Sequence, residues 1–261
     1  MPVSRYEIEN IIIQCAKENL SKKHFGVHDI RGYIENKLPR GFLEEHQVKI
    51  AEVLQSLCQA GIFMPGQPLA YSSSDGGFPW ITITEFGRSV IEKGTLPFDP
   101  EGYIEFLKSR VKDIDEIVLH YLTEAIRAFH QQLLISTTLT IGVASERLIV
   151  LLSEAFLAAQ SDSSKQEKLS QKFENSNIFE WHKTLELELK QIKKKLPPDL
   201  YHDLDVYLNQ FFNFIRLNRN EKGHPEKLSL SRNSVYASLQ IFVEYTEKMY
   251  ALIGYFKANK V

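Results

Sequence analysis

Between residues 5 and 60, apolar positions return every three or four residues, the period of a single helix face. Ile8, Ile11, Ile12, Cys15 and Ala16 share a face of a first helix, and Ile30, Tyr33, Ile34 and Leu38 do so in a second over residues 27–38. A third carries Val48, Ala51, Leu54, Leu57 and Cys58. Pro39-Arg40-Gly41 breaks the second helix, and Gly61 is placed as the glycine just past the end of the third. The pattern then changes. Ile62-Phe63-Met64 and Trp80-Ile81-Thr82-Ile83 flank a stretch rich in Pro, Gly and Ser, residues 65–79, which predicts a hairpin with a long loop. Thr84 stands where it can cap a helix over Glu85–Lys93 that stops at Gly94.

Residues 95–100 read as a linker, with Asp99 placed to cap the next helix and Pro100 at its first position. From there the helical period dominates. Leu107, Val111, Ile114, Val118, Tyr121 and Ala125 recur at spacings of four and three, a bundle seam. A second bundle helix, residues 133–159, is apolar nearly all round and so is expected at the centre. Residues 161–177 are polar and low in complexity and read as a mobile loop. Ile178, Trp181, Leu185, Leu189, Ile192 and Leu196 form a third helix, ended by Pro197-Pro198. In a fourth, begun by a capping Asp199, residues Leu204, Tyr207, Leu208, Phe211, Phe212 and Ile215 point inward. A fifth runs over residues 231–256. The fold class expected is mainly α, in two domains: residues 1–96 with a small α/β wing, and residues 97–261 as a helical bundle.

At the end of the fourth bundle helix stands Arg219-Asn220-Glu221-Lys222-Gly223-His224-Pro225. Five residues on a continuous helix turn the side chains of Arg219 and His224 about 140° apart. Gly223 permits a departure from helical dihedrals, and Pro225 pushes His224 out of the α region. The freed last turn can then swing His224 back toward Arg219. A permanent cation beside a group of unperturbed pKa about 6.5 can hold a phosphate and move a proton. An Arg and a His at a helix C-terminus can also simply satisfy the last carbonyls.

This motif, the run Phe211-Phe212-Asn213-Phe214-Ile215-Arg216 before it and the helix with Leu239, Phe242, Tyr245, Met249 and Tyr250 after it resemble the HEPN family over residues 101–257. The signature is Arg-x(4–6)-His. The resemblance implies an all-α bundle and a metal-independent endoribonuclease acting on single-stranded RNA, in a toxin or phage-defence setting. It also implies a homodimer with a cleft on the two-fold axis. In that reading His224 exchanges protons with the 2′-OH or the leaving 5′-oxygen, and Arg219 holds the phosphate. The products are a 2′,3′-cyclic phosphate and a 5′-hydroxyl. Asn220 orients or caps. Arg216, one turn before Arg219, extends the phosphate strip or pairs at the surface. Glu146 orients Arg219 or Arg147, or is a plain surface carboxylate. No cofactor and no metal is expected: His24 and His28 have Gly26 between them and no third ligand. The alternative function is a non-catalytic regulator or dimeric binding protein.

Residues 1–96 resemble a winged-helix domain, through Leu54, Leu57, Gly61, Ile62 and Phe63 and through Ile83, Thr84, Phe86, Gly87 and Arg88. The recognition helix this implies begins Phe42-Leu43-Glu44-Glu45-His46. Two adjacent carboxylates repel phosphate, so the domain is expected to meet DNA or, at least as readily, a protein partner.

Composition narrows the classes further. The chain has 261 residues, 43% hydrophobic and 25% charged, with 31 Lys+Arg against 33 Asp+Glu and a formal net charge of −2. Nucleic acid must therefore be met by a local patch and not by a global field. The longest apolar run, residues 133–145, is too short and too polar for a membrane span. The first 20 residues carry Glu7, Glu9, Lys17 and Glu18, unlike a secretory signal. Cys15 and Cys58 sit in helical patterns as reduced core thiols, and a cytoplasmic location is expected.

Overall fold

The computed structural model describes residues 3–22, 25–66, 78–93, 98–201, 208, 212 and 230–261. The protein is mainly helical, with one small sheet. The described helices are α1 (Arg5–Glu18), α2 (Val27–Lys37), α3 (Phe42–Gln59), α4 (Glu85–Lys93), α5 (Pro100–Arg110), α6 (Glu116–His130), α7 (Leu134–Ala159), α8 (Ser163–Glu174), α9 (Ile178–Ile192), the short α10 (Pro198–Tyr201) and α11 (Arg232–Ala258). A single 3-10 turn, Lys193–Lys195, follows α9. The strands are β1 (Phe25–Gly26), β2 (Phe63–Pro65) and β3 (Trp80–Ile83), in the antiparallel order β1-β3-β2.

The chain divides into two compact units, residues 1–109 with 126–133 and residues 110–125 with 134–261. The domain boundary expected at 96/97 falls outside the described residues. Residues 98–109 are built into the first unit by specific interactions. Glu9, buried in α1, accepts hydrogen bonds from the N–H groups of Phe98 and Asp99. The Arg5 guanidinium holds Asp99 through Nε at 2.7 Å and a terminal nitrogen at 2.6 Å. Tyr6 packs against Phe106 with ring centroids 4.9 Å apart and the planes tilted by 42°.

In the first unit, Ile8, Ile12, Cys15 and Ala16 of α1 meet Ile30 and Ile34 of α2 and Val53, Leu54 and Leu57 of α3 in one core. The face of α3 is rotated from the one expected: Ile50 and Val53 are buried, while Val48 is 68% exposed. The caps expected in this unit are present, whereas Asp199, expected to cap the fourth bundle helix, lies inside α10. Thr84 Oγ1 accepts from Gly87 N at 2.9 Å, Asp99 Oδ2 accepts from Gly102 N at 2.8 Å, and Gly61 takes φ 62°. Strand β1 carries no run long enough to announce itself; Phe25 and Gly26 pair with Ile81 and Trp80.

In the second unit α7 packs along α11, with α9 against α7. Ile141, Leu148, Ile149, Leu152 and Phe156 of α7 and Leu239, Phe242, Met249 and Phe256 of α11 are buried, so α7 is central as its sequence requires. Two expectations need correction. The seam over 107–125 is interrupted: α5 ends at Arg110, Asp113 takes the left-handed φ of 54°, and Asp115 caps α6 by accepting from Ile117 N and Val118 N. Asp tolerates that conformation better than most residues. Residues 161–177 contain helix α8 and not a structureless loop. Asp162 caps it by accepting from Ser164 N and Lys165 N, and Leu169 and Phe173, four apart, are buried. Phe173 packs on Trp181, whose indole N–H donates to Phe173 O at 2.7 Å.

Candidate functional site

Arg216, Arg219, Asn220 and His224 lie outside the described residues, as do Phe211 and Phe214. The points that flank the motif are described. Upstream, Leu208 and Phe212 are each 1% exposed. Both are held by His182 of α9. Its Nε2 lies 2.7 Å from Leu208 O, a geometry in which the ring N–H donates and the carbonyl accepts. The imidazole stacks on Phe212 at 4.2 Å with 17° between the planes. Downstream, Ser231 caps α11 by accepting from Ser234 N at 3.1 Å. In sequence the motif falls between Phe212 and Ser231.

His182 is the residue that sequence reasoning missed. It occupies the register of Leu185, Leu189 and Ile192, spaced three, four and three, and is 1% exposed. The indole of Trp181, read as inward, is half-buried beside it. The signal was the helical spacing, hidden because a histidine is polar by default.

The first half of α11 carries a polar stripe. Arg232, Tyr236 and Gln240 succeed one another at i, i+4 and i+8, one face of the helix, and Arg232 Nε, Tyr236 OH and Gln240 Nε2 are buried atoms. Burial holds the Arg232 guanidinium below its usual pKa. A turn further on, Tyr245 is fully buried, and burial raises its phenol well above the ordinary range. Buried polar groups in a bundle core are costly unless satisfied, so such a stripe marks a specified arrangement and not general packing.

Glu146 lies half-buried on α7, in register with Leu139, Val143 and Val150, none of which is fully buried. Its neighbour Arg147 is held by Asp115. Nε lies 3.2 Å from Oδ1 and a terminal nitrogen 2.8 Å from Oδ2, a two-point grip. The Asp115 N–H donates to Tyr250 OH at 2.6 Å. Hydrogen bonds from Arg147, with the N–H groups of Val118 and Ile117, hold the Asp115 carboxyl below the usual carboxylate range despite some burial. One aspartate therefore joins α6, α7 and α11. Of the two arginines proposed for Glu146, Arg147 takes Asp115.

Among the described residues no group of three His, Cys, Asp or Glu side chains could hold a metal ion, and no helix is long and apolar enough to cross a membrane. Cys15 is buried and Cys58 half-buried; burial pushes their thiols up to about 12 and about 11. Both are poor nucleophiles in that state. No family model, no curated protein and no solved structure matches the chain.

Proposed function

We propose that this chain is an endoribonuclease of the HEPN type, acting on single-stranded RNA without a metal. What carries the reading is the Arg219/His224 pair of the sequence, which follows Leu208 and Phe212, both packed on His182, and precedes the cap of α11. The sequence of that pair supplies an anion holder and a proton carrier. The 2′-oxygen of RNA attacks the adjacent phosphorus, the bond to the 5′-oxygen breaks, and one proton leaves the 2′-oxygen as another reaches the 5′-oxygen. His224 carries that proton exchange, and Arg219 offsets charge growing on the phosphoryl oxygens. The nucleophile belongs to the substrate, so no covalent enzyme intermediate is required. Asn220, Arg216 and Glu146 are supporting residues in this reading. The resemblance extends it to a homodimer and a cytoplasmic toxin or defence role.

The first unit fits a winged-helix reading. Its order is helix, strand, helix, helix, strand, strand, and β3 lies between β1 and β2. Glu44 and Glu45 are exposed at the start of α3. A cavity of ≈ 660 Å³ on this unit is lined mostly by apolar residues, among them Ile30, Leu43, Leu54 and Phe78, together with Arg31, Gln47 and Gln55. Acidic charge and apolar surface favour a protein contact over DNA. That is also what favours the second reading, a non-catalytic regulator.

The test is incubation of the purified chain with mixed single-stranded RNA in EDTA. Cleavage that persists in EDTA, yields 2′,3′-cyclic phosphate ends and spares DNA supports the nuclease. Absence of cleavage, or cleavage only with an added divalent metal, overturns this mechanism.

A further inference from the structure

The last two turns of α11 present an open face. Ala251, Gly254, Tyr255 and Ala258 lie at i, i+3, i+4 and i+7, one face of the helix. Ala251, Gly254 and Ala258 are exposed, and a Cβ added at Gly254 would meet nothing within 4 Å. Small side chains make a low floor of about 10 Å, seven residues at 1.5 Å each.

Cations rise on both sides of it. On one side is a cavity of ≈ 390 Å³ whose lining includes Arg110, Lys112, Lys257, Asp113, Glu247 and Tyr250. Arg110 and Glu247 form an ion pair there, joined at a second point at 3.2 Å. On the other side the Tyr255 hydroxyl donates to Lys195 O at 3.2 Å, which brings the Lys193–Lys195 turn against the floor. Lys193 Nζ lies 5.3 Å from the centre of the Tyr201 ring, and all three lysines are exposed.

The charges can be weighed. Arg110, Lys112, Lys257 and Lys193–Lys195 supply six positive charges against two carboxylates, Asp113 and Glu247. The C-terminal ends of the helices that carry these residues each add about −0.5. A positive surplus remains, so offsetting helix dipoles does not account for all six. Nor do the lysines converge on a single anion. A 3-10 turn has three residues per turn, which sends Lys193, Lys194 and Lys195 about 120° apart. The turn therefore shows the floor only part of its charge, and the cations that do flank the floor stand apart on its two sides, a spacing that fits an extended polyanion better than a compact anion. A protein interface is carried by a cluster of large anchors at its centre, and of the four residues on this face only Tyr255 is large. A tyrosine beside a cationic trough instead offers a base a stacking surface.

We propose that this face of α11, between Lys112/Lys257 and Lys193–Lys195, is a track for the sugar–phosphate backbone of single-stranded nucleic acid. The inference takes RNA as the natural occupant from the ribonuclease reading. The track meets phosphate and stacked base, so it does not itself distinguish RNA from DNA. It adds affinity and directs the strand; the chemistry stays with Arg219 and His224.

The experiment is fluorescence anisotropy with a labelled single-stranded RNA 12-mer and the same sequence as DNA, in EDTA, from 50 to 200 mM salt. The full chain carries His224→Ala so that the probe survives. Lys112→Glu with Lys257→Glu is expected to weaken binding of both probes at least tenfold. It should also flatten the log–log salt dependence by about 0.7 for each phosphate that is no longer neutralised. Gly254→Leu, which keeps every charge, is expected to weaken binding too, by raising the floor. Lys168→Glu, exposed on α8, should leave binding unchanged. Thermal melting of each variant shows that it is folded. Wild-type affinity in the double variant, an equal loss in Lys168→Glu, or no binding of either probe overturns the track. Displacement of RNA by polyglutamate at equal charge overturns it in favour of an acidic protein. RNA bound through these residues but never cut by the chain with native His224 keeps the track and removes the nuclease. RNA cut normally by the double variant does the reverse.

Discussion

Glu9 is a carboxyl in a place that suits an acid better than an anion. It is 2% exposed, and burial pushes its pKa up to about 8 from 4.5. The N–H groups of Asp99 and Phe98 and the charge of Arg5 oppose the rise, and the charge of Asp99 adds to it. The fold therefore binds this proton more tightly than the unfolded chain does. The stability it contributes is complete below pH 4.5, falls as pH rises, and is gone above about pH 8. Glu9→Gln should lose stability at pH 5, because its amide nitrogen cannot accept from one of the two N–H groups. It should nevertheless melt with a flatter pH profile from 5 to 8 than the wild type. Parallel profiles would remove Glu9 as the titrating group. For the proposed chemistry, His224→Ala should reduce RNA cleavage by about 10²–10⁴-fold, the usual worth of a proton-transfer group. Arg219→Ala and Arg219→Lys should fail as well, since Lys lacks the planar two-point fork. If either alanine variant melts like wild type and cuts RNA at the wild-type rate, these residues are structural and the regulator reading replaces the enzyme.

The join between β2 and α4 has no room to spare. A Cβ on Gly87 would stand 2.1 Å from Ile62 O and 2.9 Å from Ile62 C, both backbone atoms that cannot swing aside. The same carbonyl accepts from Thr84 N at 3.1 Å, and Thr84 Oγ1 donates to Gly61 O at 2.6 Å. The cap of α4 and the start of β2 are thus one hydrogen-bonded corner. Gly87→Ala gains about 1 kcal/mol in helix propensity. It must also force the helix off the strand, an overpacking cost of about 1–3 kcal/mol or more. The net expectation is a lower urea midpoint for the first unit. A higher midpoint would mean that the corner opens freely. At the other junction Asp115 does for α6, α7 and α11 what Thr84 does here, through its cap, its grip on Arg147 and its N–H to Tyr250.

At the scale of the whole molecule, the reading predicts two copies acting together. The resemblance places the cleft of a homodimer on its two-fold axis, and an isologous contact needs a face that matches itself. On the bundle unit Ile135 and Leu139 of α7 are 38% and 37% exposed, four residues apart on one face. Phe212 is taken by His182, and Phe211 and Phe214 lie outside the described residues. Sedimentation at micromolar concentration should give the mass of a dimer. A monomer there counts against a composite site, and then Arg219 and His224 would have to work within one chain.

The helices were legible because burial leaves a period in the sequence. Ile8, Ile12, Cys15 and Ala16 mark a buried face wherever the helix lies, and Thr84, Asp99 and Ser231 mark helix starts because a side-chain oxygen there meets free N–H groups. The buried face of α3 departs from the expected one, since Val48 and Ala51 look apolar yet only tertiary packing chooses Ile50 and Val53. Helix α8 escapes a sequence reading because two buried residues, Leu169 and Phe173, are a weak period among polar neighbours until Trp181 closes over them. The Arg219/His224 pair is a matter of sequence alone, as local chemistry. What the tertiary structure added are partners distant in the chain: His182 for Leu208 and Phe212, Asp115 for Arg147, Glu9 for Phe98 and Asp99. A periodic pattern says which side of a helix is dry. It carries no information on which polar group waits there, because hydrogen-bond partners are set by distances that only the folded chain fixes.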